Sequence, residues 1–161
     1  MIKKEKSAFA RASADNQEKI KHFYQALMKV QPVVGKDIGL ILVKDESLAD
    51  LVSLTGKSNS TAVFELKEDT YIEKFLEELA ESLKRGLIVF VRLHQYLDPA
   101  VYNQLYLISH SGRLHFFKLK EEVLLDLPKE SQLILVSTDE EIENLNYKNL
   151  FEVVGPVLRL E

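Results

Sequence analysis

Residues 87–105 read LIVFVRLHQYLDPAVYNQL. The apolar run Leu87–Val91 comes first, and a strand buried on both faces of a sheet reads as such a continuous run. Arg92 and Leu93 follow. Asp98-Pro99 then opens a helix, with proline at the first helical position, where a missing N–H costs nothing. That helix runs to about His110, and Gly112 stops it. A buried strand that leads into a helix is the repeating unit of a parallel α/β sheet.

The unit recurs on both sides. Upstream, Asp15 is placed to cap a helix from about Asn16 to Val30, with Ile20, Phe23, Tyr24, Leu27 and Met28 on one face. Gln31-Pro32 ends it, because the residue before proline avoids helical angles. Ile38–Val43 is a buried strand, Leu48–Leu54 a short helix ending at Gly56, and Ala62–Leu66 a second strand. Tyr71–Lys84 is amphipathic, with Ile72, Phe75, Leu76, Leu79 and Leu83 inward, and Gly86 closes it. Downstream, Arg113–Leu119 reads as a short strand and one arm of a hairpin. Leu133–Val136 is the fourth core strand and Phe151–Leu160 the last. Five apolar strands separated by helices predict a three-layer α/β/α sandwich around a mostly parallel sheet. Residues 1–14, charged and small, read as a flexible N-terminal segment, and 15–161 as a single α/β domain.

Composition narrows the function classes. The 161 residues are 46% hydrophobic and 29% charged, the balance of an ordinary globular chain. No apolar run approaches the ~18 residues of a membrane span and the Lys-rich start has no signal-like apolar stretch, which predicts a cytoplasmic chain with no membrane partner. There is no cysteine, which removes disulfides, thiolate nucleophiles and Cys-based zinc sites. A net charge of −4 with interspersed signs makes nucleic acid an unlikely partner. The absence of Cys and Trp together with frequent Glu and Lys fits a heat-adapted composition.

Three stretches, taken together, resemble the nucleotide-binding core of AAA+ ATPases, nearest the MoxR-like and dynein-like branch. LIVFVRLHQYLDPAVYNQLYLISHSGRLHF (87–116) is similar to that family's Walker B strand, its helix and the start of its hairpin insertion. ESQLILVSTDEE (130–141) is similar to the sensor-1 strand with a polar tip at Ser137 and Thr138, and YKNLFEVVGPVLRL (147–160) to the closing strand. The resemblance implies the strand order 5-1-4-3-2 of P-loop NTPases. A flavodoxin-like or receiver-like order, 2-1-3-4-5, is the alternative.

The departures from the family decide the chemistry. A phosphate loop needs glycines whose N–H groups wrap the phosphates, a Lys for charge and a Ser/Thr for magnesium. After the first strand this chain has Lys44-Asp45-Glu46-Ser47 and goes directly into helix. Gly56-Lys57-Ser58 lies after that helix and reads as a stop and turn. Where the family's Walker B acids hold magnesium, this chain has Arg92 and Leu93. ATP hydrolysis by the usual route is not expected, and neither a cofactor nor a metal site is predicted.

Candidate residues fall into two sets. Lys44, Asp45, Ser137 and Thr138 stand at carboxyl ends of strands, where open parallel sheets place their ligands. A receiver domain would also need an Asp at the end of the third strand, which Phe90-Val91-Arg92 does not supply. A solvated loop with a helix cap is the plainer account of the acids beside Lys44. Arg92, His94, Tyr96, Arg113, Phe117 and Arg159 are candidates for partner contact. Phe116-Phe117 should place one ring inward and one outward. His94, His110 and His115 lack the helical i,i+4 spacing of a paired metal site. The leading expectation is a non-catalytic AAA-like domain that binds another protein or itself. The rival is a small-ligand or nucleotide binder, possibly an enzyme, using the strand ends. A weaker option is an inactive clamp-loader-like subunit of a nucleic-acid machine.

Overall fold

The computed structural model describes residues 14–28, 37–43 and 61–160. Five parallel strands form the sheet: β1 (Ile38–Leu42), β2 (Thr61–Leu66), β3 (Ile88–Leu93), β6 (Gln132–Ser137) and β7 (Val154–Arg159). The order is β2-β3-β6-β1-β7. Counted along the five core strands this is 5-1-4-3-2, and the order 2-1-3-4-5 is excluded. Helices α1 (Ala14–Met28), α2 (Ile72–Lys84), α3 (Pro99–Ser111) and the short α4 (Asp139–Glu143) accompany the sheet, with a 3-10 turn at Leu150–Glu152. A separate antiparallel hairpin, β4 (Arg113–Lys118) and β5 (Glu121–Asp126), follows α3. Lys44, Asp45, the expected helix Leu48–Leu54, the Gly56-Lys57-Ser58 turn, Gln31-Pro32 and residues 1–13 lie outside the described residues.

The sheet is apolar on both faces, and residue parity assigns each side chain to a layer. Ile38, Leu40, Leu42, Val89, Val91, Leu93, Leu133 and Leu135 join one core with the apolar faces of α2 and α3. Their neighbours Ile41, Phe90, Ile134 and Val136 join the other, under Ile20, Phe23 and Leu27 of α1. Phe90 is fully buried, and burial of a side chain of this size stabilises by about 2–3 kcal/mol. Gly39 takes the α1 face of β1, where a Cβ would stand 2.7 Å from Phe23 Cζ and 3.1 Å from a Leu27 methyl. The glycine lets the helix lie this close to the strand.

Element ends follow local chemistry, with several corrections to the sequence reading. Asp98 caps α3 by accepting from the Ala100 N–H at 2.8 Å, and Gly112 closes it at φ 68°. Helix α1 begins at Ala14, so Asp15 lies inside it rather than capping it. Strand β3 runs on through Arg92 and Leu93, held by pairing of Arg92 with both Glu65 and Val136. The last strand is shorter than expected: Leu150–Glu152 is a 3-10 turn and β7 starts at Val154. As an edge strand, β7 tolerates Pro156, and a register shift between Ile38 and Leu40 accompanies its pairing with β1. The hairpin expected from Arg113–Leu119 is completed by Glu121–Asp126, which the sequence reading did not locate, and α4 is an addition to that reading.

Two side-chain amides complete backbone pairing where no strand is available. Gln104 of α3, 8% exposed, donates to the His115 carbonyl and accepts from the His115 N–H at 2.8 Å, so it closes the outer edge of β4. Asn146 grips Leu97 in the same way, accepting from its N–H at 2.7 Å and donating to its carbonyl at 3.1 Å. This fixes the loop between β3 and α3.

Candidate functional site

The carboxyl ends of β2, β3 and β6 converge on Glu141 in the first turns of α4. Thr138 caps α4: its hydroxyl accepts from the Glu141 N–H at 3.2 Å, while the Glu141 carboxylate accepts from the Thr138 N–H at 3.2 Å. This reciprocal pair is a capping box, written in the sequence as Thr138-Asp139-Glu140-Glu141. The box fixes the Glu141 side chain over the end of the sheet.

Glu141 Oε1 accepts from the Arg92 guanidinium at 2.7 Å and from the Thr138 hydroxyl at 2.9 Å. The Ser137 hydroxyl, fully buried, lies 3.2 Å from the Leu93 carbonyl and 3.4 Å from the same carboxylate oxygen. Arg92 also donates to the Leu93 carbonyl. Only 15% of the Arg92 side chain and 21% of that of Glu141 is exposed, so the pair is shielded from most screening by water. Burial pushes the Glu141 carboxyl up, but hydrogen bonds from Arg92 and Thr138, the Arg92 charge and His94 outweigh it and hold the group below its ordinary value.

His94 extends the chain of contacts to β2. Its Nδ1 lies 3.0 Å from Glu141 Oε2 and its Nε2 lies 2.8 Å from Glu65 Oε2. A carboxylate only accepts, so both contacts are hydrogen bonds only when the ring carries two protons. The His94 hydrogen bond, joined by Lys67, holds the Glu65 carboxyl below its ordinary value against the opposing effect of burial. Lys67 Nζ stands 3.4 Å from Glu65. The result is a line of contacting side chains from Arg92 through Glu141, His94 and Glu65 to Lys67.

The line borders a cleft of about 560 Å³ lined by Val43, Arg92, His94, Thr138, Asp139 and Glu140, among others. Val43 continues β1 by donating to the Ser137 carbonyl at 2.9 Å. The carboxylates of Asp139, Glu140 and Glu141 make the rim acidic. An acidic rim repels a phosphate chain, and Arg92, a cation at the strand ends, is already engaged.

The two residue sets drawn from the sequence are thus partly merged. Ser137 and Thr138 join Arg92 and His94 at one place, and Arg159 of β7 reaches the same rim through an ion pair with Asp139. Lys44 and Asp45 lie outside the described residues. Tyr96 is half-buried beyond the end of β3. Arg113 and Phe117 sit apart on the hairpin, Arg113 paired with Asp126 at 2.7 Å and Phe117 58% exposed over a buried Phe116. The sequence reading missed Glu141 and Glu65. The capping-box spacing carried the signal for Glu141; for Glu65, a lone acid on a strand, nothing did. Among the described residues no group of three or more His, Asp or Glu side chains is arranged to hold a metal ion, and no helix is long and apolar enough to cross a membrane. No protein-family model and no curated protein matches the chain.

Proposed function

We propose that this chain is a non-hydrolysing relative of the AAA+ ATPases that acts as a protein-interaction or assembly module. The sheet order, the helix after β3, the hairpin and the polar tip of β6 support the ancestry. The observation that carries the functional reading is the Arg92–Glu141 ion pair. Arg92 stands where the family places its magnesium-holding acids, and its positive charge opposes a cation there. Glu141 takes both Arg92 and His94, and His94 also takes Glu65, so these groups at the ends of β2, β3 and β6 partner one another. What such a framework retains is surface.

The test is thermal unfolding with ATP, ADP and magnesium. The expected result is no change in Tm, since a ligand that binds the native state must raise it. A nucleotide-dependent rise abolished by Lys44→Ala would overturn the reading. The acidic cleft gives a second reading some support, that of a small cationic or neutral ligand at the strand ends, and the same assay with such compounds separates the two. Light scattering across concentrations reports whether the partner is a second copy.

A further inference from the structure

Among the described residues the hairpin has one edge met at His115 and one edge met by nothing. Its two-residue loop, Leu119-Lys120, makes Lys118 and Glu121 the first pair of the ladder. Alternation along an antiparallel ladder then directs the backbone of His115, Glu122 and Leu124 outward. On β4 the outward groups of His115 are met by Gln104. On β5 no described element meets those of Glu122 and Leu124. Such an edge is a template for another strand.

Beneath this edge lies a groove of about 570 Å³ between the hairpin and α2. Its floor is apolar, from Ala80 of α2 and Phe116, Val123 and Leu125 of the hairpin. Its α2 side carries Glu78 and Glu81, both exposed and in no ion pair among the described residues, together with Lys84, whereas the nearby Glu77 is taken by Lys118 at 2.7 Å. Leu124 borders the groove and is 57% exposed. A backbone edge, an apolar floor and an acidic wall coincide.

Building on the interaction reading above, we propose that this groove binds an extended segment of a partner protein, which adds a strand to β5. Backbone hydrogen bonds to Glu122 and Leu124 set its direction. The alternate side chains that turn toward α2 meet Ala80, Val123 and Leu125 where they are apolar and Glu78 and Glu81 where they are Lys or Arg. Strand addition provides affinity with little demand on sequence, and the acidic wall selects for basic segments.

The experiment uses the full chain, 15N-labelled, titrated with a capped Val-Thr-Lys-Thr-Val-Thr-Lys peptide, whose inward positions carry Val and Lys in turn, and with its Val/Glu counterpart, in which Glu replaces Lys. The expected outcome is saturable binding of the Val/Lys peptide with a dissociation constant on the order of 0.1–1 mM, with amide shifts centred on Glu122, Leu124 and Ala80. The double variant Glu78→Lys/Glu81→Lys, at two exposed positions, should weaken it about tenfold or more and favour the Val/Glu peptide. Leu124→Pro removes an outward donor without breaking the ladder to β4 and should weaken both peptides. No binding, or equal binding by all variants, overturns the proposal. Shifts confined to another face overturn this site while leaving the interaction reading intact, whereas nucleotide binding in the Tm assay overturns that reading and not this site. Self-association abolished by the charge-reversed variant would assign the groove to a second copy and overturn a foreign partner.

Discussion

Arg92 and Glu141, one from the end of β3 and the other from the first turns of α4, meet at 2.7 Å with most of both side chains out of water. Breaking a shielded pair from one side leaves the other charge without its partner, which costs more than the pair contributes. Arg92→Ala should therefore destabilise by about 2–4 kcal/mol, and Arg92→Met combined with Glu141→Gln by clearly less than the sum of the single changes. Urea unfolding of the four proteins of that cycle measures the coupling.

The depressed carboxyls of Glu141 and Glu65 set the direction of the acid response. A carboxylate whose folded value lies below its unfolded one contributes stability above the unfolded value, and that contribution is lost as pH falls through the folded one. Stability should be level at neutral pH and decline as pH drops from about 5 through the carboxylate range. Glu141→Gln should flatten the decline, as read from denaturation midpoints across pH.

Leu119 and Lys120 hold φ of 50° and 68° at the hairpin tip, a turn that prefers Asn-Gly, and Leu119 is 80% exposed. Leu119→Asn/Lys120→Gly should relieve this conformation and stabilise by about 1 kcal/mol. A higher thermal midpoint with an unchanged far-UV spectrum would bear this out, and a lower one would refute it.

Gly39→Ala places a methyl 2.7 Å from Phe23 in a packed layer. Overpacking of this kind costs about 1–3 kcal/mol. Phe23→Leu in the same chain should recover part of the loss, because the ring is what the methyl meets. Chemical denaturation of the single and double variants provides the comparison.

Gln104→Glu keeps the acceptor for the His115 N–H but turns the donor to its carbonyl into a second acceptor. A loss of about 1–3 kcal/mol is expected, with hydrogen exchange at β4 amides rising more than at β6.

The sheet was legible because its strands announce themselves. Ile38–Val43, Leu87–Val91 and Leu133–Val136 are apolar on both parities, which only a strand covered on both faces requires. Helix α3 was legible from its proline and glycine. The hairpin's second arm was not: in Glu121–Asp126 only Val123 and Leu125 turn inward, and acidic residues dilute the alternation. The site was half legible. Residue types at the strand ends showed what Arg92 could not do, but its partner lies far along the chain, and an ion pair between distant segments leaves no periodicity to read. Helix α4 is too short to show a helical repeat, so its capping box passed as a polar tip.

The position of β1 also bears on how the chain is made. Ile41 sits between Val136 and Leu158, so the first of the described strands to leave the ribosome finds neither neighbour until about a hundred further residues have been synthesised. Its apolar surface must wait, and a nascent chain of this design completes its sheet only once β7 has emerged.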